Sequence, residues 1–503
     1  MKKELDLRSV PLPPLWCVAG GQEHQRRERP TPALLWQTGK TRVAAARALG
    51  IIGRAREVVV VCSFLLSDSM VIEALEAAAR RGVRVYVMLA AETRLLSEPP
   101  DNDVSDKGVW QRQVIADFRS LLRRLGGLTM IRASDQFHAK VVIADPSTHP
   151  VGLLFTANLT EDALSRNQEL AVELSASQVR ATWELLRWAF WEAATHEVLD
   201  GAQDGLGSIR ALGELELLAP DDRMLCTAER LQVIRDAMLG SIQAEKVELI
   251  VASFGWSAEH EVVQALADRA KAGVRVTVFS RPRAASMPAL VLLAESGARV
   301  LGFKHLHAKA LWTASGDAIV TSANLEPHGL DSGFELGILL AEPERAALRR
   351  VFGEWQEAAE SELHVGKELG SLRGKVLLWS GGKLEEQEIV EHASVNLPRR
   401  ELPSAELLLT EEAGSPRSEL PLAHRIEVTE QLVAPTSPAG ARDISAELAV
   451  LTGGATGSSG DLRLLSKNGR RLLVIRDADQ LPLATKLRPQ VNADAIVFER
   501  STP

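Results

Sequence analysis

Two stretches of the chain read alike: FHAKVVIAD (Phe137–Asp145) and LHAKALWTA (Leu306–Ala314). Each opens an apolar run with His and Lys two residues apart, His138 and Lys140 in the first, His307 and Lys309 in the second. That spacing on a strand places imidazole and ammonium on one face. The likeness continues downstream, in LLFTANLTEDALSRNQELAVEL (Leu153–Leu174) and AIVTSANLEPHGLDSGFELGILL (Ala318–Leu340). In both, an Asn closes an apolar run and a Glu follows eleven residues later: Asn158 and Glu169, then Asn324 and Glu335. A small hydroxyl stands two residues before each Asn, Thr156 and Ser322.

The repeat also extends upstream. EVVVVCSF (Glu57–Phe64) and RGVRVYVML (Arg81–Leu89) flank a segment of helical period. VELIVASF (Val247–Phe254) and AGVRVTVF (Ala272–Phe279) do the same. Each set predicts a βαβ unit whose parallel strands are buried on both faces, with Gly82 or Gly273 as the helix C-cap. Helices are expected over 41–54 and 228–244 ahead of the units, and over 177–196 and 342–362 behind them. The polar segment 94–116 has no counterpart in the second copy and reads as a surface or lid-like loop. After residue 366 short alternating runs dominate, such as VLLWSGG and LRLLSKNGRRLLVI, and predict a β-rich domain. The expected domains are therefore 1–210, 211–365 and 366–503.

Composition sets the outer limits. The chain has 503 residues, 46% hydrophobic and 25% charged, which is ordinary for globular domains and excludes general disorder. No apolar run reaches the roughly 20 residues of a membrane helix, and residues 1–15 lack the apolar core of a signal peptide. Three cysteines, Cys17, Cys62 and Cys226, have no metal-type spacing and fit a reducing cytoplasm. A net charge of −8 removes the simplest case for nucleic-acid binding, a basic chain, but leaves room for a local basic cleft. Candidates for one are Arg132, Arg166, Arg281, Arg283 and Lys304, with Arg119, Arg123 and Arg124 on a helix face. Gly39-Lys40-Thr41 is not a P-loop, because Leu34 stands where the first glycine belongs. Trp183, Trp188 and Trp191 lie at helical spacing and read as packing.

Two imidazoles, two lysines and two amides without clustered metal ligands suit a phosphate ester. Lysine and amide donors neutralise the phosphoryl oxygens as charge develops. One His attacks phosphorus while the other protonates the leaving oxygen and then activates water. The Glu of each copy accepts from an imidazole and sets its tautomer. This calls for no metal and no cofactor. His149, His305 and His328 lie near the motifs without doubling and read as structural or surface residues.

These residues also closely resemble the phospholipase D superfamily, whose signature is His-x-Lys-x4-Asp followed by Gly-Ser-x-Asn, present twice. Residues 41–365 carry the resemblance. His307, Lys309, Ser322, Asn324 and Glu335 fall at the family spacing. So do His138, Lys140 and Asp145, with Thr156, Asn158 and Glu169 following after a three-residue insertion. Ala314 replaces the second Asp, with Asp317 as its substitute. Phe155 replaces a glycine and is expected to crowd the phosphate pocket.

The resemblance implies an α/β fold of two phospholipase-D-like lobes related by a pseudo-two-fold, followed by the β-rich domain. It implies catalysis by His138, His307, Lys140, Lys309, Asn158, Asn324, Glu169 and Glu335 through a covalent phosphohistidine, with Thr156, Ser322 and Asp145 at the substrate. In character the chain looks most like the bacterial endonuclease branch. That makes DNA or RNA the expected partner, in DNA processing or phage defence, with a protein partner for the C-terminal domain and no integral membrane association. The alternatives are a phospholipase or phosphatidyl transferase at a membrane surface, and a catalytically silent nucleic-acid-binding subunit.

Overall fold

The computed structural model describes residues 12–18, 34–37, 42–97, 107–198, 205–367 and 374–389, and five strands between 407 and 499. The chain divides into two compact units. One is Gly21–Leu363; the other joins Met1–Gly20 to His364–Pro503.

In the larger unit the repeat is visible strand by strand. Numbering counts β1 (Leu15–Val18), which belongs to the other unit. The first lobe contains β2 (Leu34–Gln37), α1 (Val43–Arg54), β3 (Val58–Cys62), α2 (Ser69–Arg80), β4 (Arg84–Ala90), α3 (Glu92–Ser97), α4 (Lys107–Leu125) and β5 (Met130–Ser134). It continues with β6 (Val141–Ala144), β7 (Val151–Phe155), α5 (Glu161–Ser165), β8 (Glu169–Leu174), α6 (Ala176–Trp188), β9 (His196–Val198) and β10 (Leu206–Ser208). The second lobe contains β11 (Met224–Ala228), β12 (Leu231–Gln232), α7 (Val233–Ala244), β13 (Glu248–Ala252), α8 (Glu261–Lys271), β14 (Arg275–Ser280), α9 (Met287–Glu295) and β15 (Arg299–Gly302). It ends with β16 (Ala310–Thr313), β17 (Ala318–Thr321), β18 (Glu335–Leu339), α10 (Glu342–Ala358) and β19 (Ser361–His364).

The sheet order β9-β5-β4-β3-β6-β7-β8-β2 of lobe 1 recurs in lobe 2 as β19-β15-β14-β13-β16-β17-β18-β11. In both, three strands run parallel (β3, β4, β5 and β13, β14, β15) and the strand bearing His-x-Lys joins antiparallel, β6 on β3 and β16 on β13. All five residues of β3 are buried, as a strand covered on both faces must be. Gly82 (φ 88°) and Gly273 (φ 87°) end α2 and α8 in the left-handed conformation their position requires.

Segment 94–116, expected as a loop, is partly helical: α3 and α4 occupy its ends, and 98–106 lies outside the described residues. The helix expected over 228–244 begins only at Val233, because Leu231–Gln232 pairs with β11. Trp183 and Trp188 pack beside Tyr86 and Phe334, and Trp191 lies under the Arg132 guanidinium, 4.0 Å from its carbon.

The lobes meet through backbone. His138 N donates to Phe334 O (3.0 Å) and Phe334 N to Gln136 O (2.6 Å). On the symmetric side, His307 N donates to Gln168 O (3.1 Å) and Gln168 N to His305 O (2.8 Å). The residue before each motif His thus clasps the residue before the other lobe's Glu. Phe137 stacks on Phe334 with centroids 5.0 Å apart, inside a buried core that both lobes share.

In the smaller unit β1 pairs with β20 (Gly374–Ser380), which forms a hairpin with β21 (Lys383–Ile389). A second sheet holds β22 (Leu407–Thr410), β23 (Ala441–Asp443), β24 (Arg463–Lys467), β25 (Arg470–Ile475) and β26 (Ala495–Glu499), in the order β22-β26-β25-β24-β23. The expected β character holds for these segments. The runs at 424–433 and 451–460 lie outside the described residues.

Candidate active site

The clasp brings both motifs to one cavity of about 550 Å³, whose lining includes His138, Asn158, His307, Asn324 and Glu335. Each imidazole is oriented by the opposite lobe. His138 Nδ1 lies 2.6 Å from Glu335 Oε1, and His307 Nδ1 lies 2.7 Å from Glu169 Oε1. The sequence left open which Glu serves which His; the structure pairs them across the lobes, because the strand that starts at each Glu is clasped to the other lobe's motif.

The lysines are almost wholly buried. Lys140 Nζ donates to His138 O (2.7 Å) and sits 3.1 Å from His138 Nε2. Lys309 Nζ donates to His307 O (2.6 Å) and lies 3.0 Å from both ring nitrogens of His307. A buried ammonium needs counter-charge; Glu335 lies within electrostatic reach of Lys140, and Glu169 of both lysines. The side-chain oxygens of Asn158 and Asn324 are buried and have no hydrogen-bond partner among the described residues.

The two carboxylates differ. Burial pushes Glu335 up, but the His138 and Lys140 charges and the bonds from His138 and Ser322 outweigh it, holding it at about 2. Burial also pushes Glu169 up, and there it prevails against Lys309, Thr156, Asn167 and Lys140, leaving it at about 7. Burial holds His138 down at about 3, against the pull of Glu335. At neutral pH His138 is therefore uncharged. Its Nδ1–H donates to Glu335, and the Nε2 lone pair is left toward Lys140 and the cavity.

Three expected substrate contacts are elsewhere. Thr156 and Ser322 are fully buried and donate to their own lobe's glutamate, Thr156 Oγ1 to Glu169 Oε2 at 2.6 Å and Ser322 to Glu335. They anchor the carboxylates and do not face the cavity. Asp145 ends β6 at the edge remote from Lys140. It accepts from the amides of Arg56 (2.9 Å), Glu57 (2.8 Å) and Val58 (2.9 Å), so it caps β3, and it is not among the cavity's lining residues. Its substitute in lobe 2 is Glu245, not Asp317. Glu245 accepts from Lys246 N (2.8 Å), Val247 N (2.7 Å) and Ser315 N (2.7 Å), whereas Asp317 accepts from Ser241 Oγ. Phe155 is fully buried in the lobe 1 core and is not among the cavity's lining residues, so the expected crowding does not occur.

The sequence reading overlooked other contributors. Ser63 Oγ accepts from Leu159 N (3.0 Å) and Ser253 Oγ from Leu325 N (3.3 Å), which pins the residue after each Asn. Phe64 and Phe254 stand edge-on to His138 and His307, with centroids 5.2 Å and 4.9 Å away. The doubled Ser-Phe that closes VVVVCSF and ELIVASF was the available signal. Arg94, Gln113, Val114 and Asp117 bring the lobe 1 insertion into the cavity wall. Among the described residues no group of three or more His, Cys, Asp or Glu side chains is placed to hold a metal ion.

The family model "Cardiolipin synthase, PLD-like domain" matches residues 49–189, the stretch that carries the first His-x-Lys, Asn and Glu. That stretch of the chain is similar to phospholipase-D-like domains. The second lobe repeats the sheet order and the His-Lys-Asn-Glu set outside the matched stretch. Among solved structures, a phospholipase D family member, Nuc from Salmonella typhimurium, is 16% identical over 28% of this chain and 97% of its own (TM-score 0.25). Phosphatidylserine synthase from Haemophilus influenzae is 12% identical over 72% and 91% (TM-score 0.48). Polyphosphate kinase from Porphyromonas gingivalis is 16% identical over 64% of this chain (TM-score 0.40), and the match spans about half, 49%, of the kinase. No curated protein matches.

Proposed function

We propose that the protein is a phosphodiesterase that works through a covalent phosphohistidine and needs no metal. The observation that carries this is the crossed pair of His–Glu contacts at one cavity. His138, neutral and held by an ionised Glu335, is the nucleophile. Its Nε2 attacks phosphorus, and the leaving oxygen takes a proton from the His307–Glu169 pair, which exchanges one near neutral pH. His307 then takes a proton from water, the hydroxide attacks phosphorus, and the P–N bond breaks. Lys140, Lys309, Asn158 and Asn324 hold the phosphoryl oxygens. With Glu169 protonated, two lysines face one carboxylate, and the surplus positive charge matches one phosphodiester anion.

For the substrate we take a nucleic acid first. Arg283 and Arg281 stand over Phe254, 3.9 Å and 5.8 Å from its ring, beside His307, where a neighbouring phosphate of a strand would lie. Four of the other basic candidates pair with acids: Arg132 with Glu197, Arg166 with Asp162, Arg124 with Glu76 and Arg119 with Glu92. A lipid substrate is favoured by a different observation: Asp117, Glu161, Asp162 and Glu326 line the cavity with Arg94. That acidic wall suits a phosphodiester with neutral or cationic flanks. A cytoplasmic location accords with the sparse, odd set of Cys17, Cys62 and Cys226, and no described helix is long and apolar enough to cross a membrane. A protein partner for the C-terminal strands remains part of the proposal.

The test is an assay in EDTA on single- and double-stranded DNA, RNA and phospholipid vesicles, with His138→Ala and His307→Ala beside the wild type. Nucleic-acid cleavage that survives chelation and vanishes in both variants is the expected result. Headgroup release from vesicles alone would move the substrate to lipid, and complete loss of activity with EDTA would sink the metal-free mechanism.

A further inference from the structure

The repeat has one chemical mismatch at the cavity. The fourth residue after the motif Asn is Asp162 in lobe 1 and His328 in lobe 2, and both line the cavity. His328 opens a single π-helical turn, His328–Ser332, an irregularity often found at functional sites. Its ring stands edge-on to His138 with centroids 6.4 Å apart, so a phosphoryl group held at His138 lies beside it. Room for the ring comes from Gly333, where a Cβ would lie 3.0 Å from His328 Nε2. That Nε2 is buried and has no hydrogen-bond partner among the described residues. Burial and the Arg94 charge keep the imidazole below its ordinary pKa, so it meets an anion as a neutral donor.

Chemistry then separates the two walls. A carboxylate repels phosphoryl oxygens and accepts from a hydroxyl; a neutral imidazole donates to a phosphoryl oxygen at little cost. Asp162 holds the position in lobe 1 that His328 holds in lobe 2, lines the same cavity and pairs with Arg166 at 3.0 Å. Building on the phosphodiesterase reading, we propose that His328 is a substrate-binding residue that holds a phosphoryl oxygen on the His138 side. Opposite it, Asp162 receives the departing alcohol. His328 thereby gives a direction to a centre whose catalytic groups are otherwise duplicated, and selects which ester oxygen faces His307 and leaves.

The experiment uses the full chain with His328→Ala, His328→Gln and His138→Ala. Turnover of bis(p-nitrophenyl) phosphate is measured, and inorganic phosphate is titrated while the histidine ring nitrogens are followed by NMR. In His328→Ala, KM is expected to rise about 10- to 100-fold while kcat stays within about threefold, and phosphate is expected to bind about tenfold more weakly. His328→Gln, which keeps a donor, recovers most of both. Thermal unfolding is run alongside; if His328→Ala is unstable, His328→Gln against wild type decides, and a wild-type His328 ring unmoved by phosphate overturns the proposal. Wild-type KM and phosphate affinity in His328→Ala, with His138→Ala inactive, overturn it and leave the phosphodiesterase standing. Wild-type turnover in His138→Ala sinks the phosphodiesterase, and the phosphate titration then decides His328 by itself.

Discussion

His138 and Glu335 are 197 residues apart and share a proton donor and acceptor at 2.6 Å. Their contact crosses the lobes, so Glu335→Gln should shift the His138 Nδ1–H resonance and leave His307 alone, and Glu169→Gln should do the reverse. Swapped responses would mean pairing within each lobe. Loss of the orienting charge should also lower kcat by about 100-fold or more in Glu335→Gln. The unequal carboxylates have a stability consequence. Glu169 binds its proton more tightly folded than unfolded, about 7 against an ordinary 4.5. Its folded form is therefore favoured below about pH 4.5, and that advantage is lost as pH rises through about 7. Glu169→Gln should raise the melting temperature relative to wild type at pH 8, with the gap closing toward pH 5. A gap that widens on acidification would show that Glu169 is ionised throughout.

At the scale of elements, the two lobes solve one problem with different residues. The amides that lead into β3 and β13 need an acceptor. Asp145 reaches them from the turn after β6, and Glu245 reaches them from the turn that precedes β13 itself. The Asp145 half was legible in the motif; Glu245 was not, because a carboxylate before a strand has no distinctive spacing. Burial pushes Glu245 up, but the amides of Val247, Ser315 and Lys246 outweigh it and hold it at about 2. Because that pKa is depressed, the stabilisation is present above about pH 4.5 and lost as pH falls through about 2. Asp145→Ala and Glu245→Ala should each cost about 1–3 kcal/mol in denaturant unfolding, with wild-type KM. A raised KM for Asp145→Ala would return it to the substrate.

For the molecule as a whole, residues of both lobes line one cavity. Rapid acid-free quenching during turnover should trap about one phosphoryl group per chain, alkali-stable and acid-labile as a phosphoramidate is, and none in His138→Ala. Label retained in His138→Ala and lost in His307→Ala would exchange the roles of the histidines. Two groups per chain would mean that the lobes act separately. The shared core and the paired clasp at Phe137–Phe334 and Leu306–Gln168 already tie each motif to the other lobe.

The amino-acid sequence alone determined the local facts. Apolar β-branched runs with buried period made the strands, Gly82 and Gly273 ended the helices, and the doubled spacing of His, Lys, Asn and Glu announced the α/β lobes and marked the candidate site. These signals are local or repeat at fixed intervals, so they survive in one dimension. Only the tertiary structure decided which Glu serves which His, that Thr156 and Ser322 hold carboxylates, that Asp145 caps a strand, and that His328 enters the cavity. Each of those depends on which surfaces meet when two similar lobes clasp. The same symmetry that makes the repeat easy to read hides whether its partners pair within a copy or across.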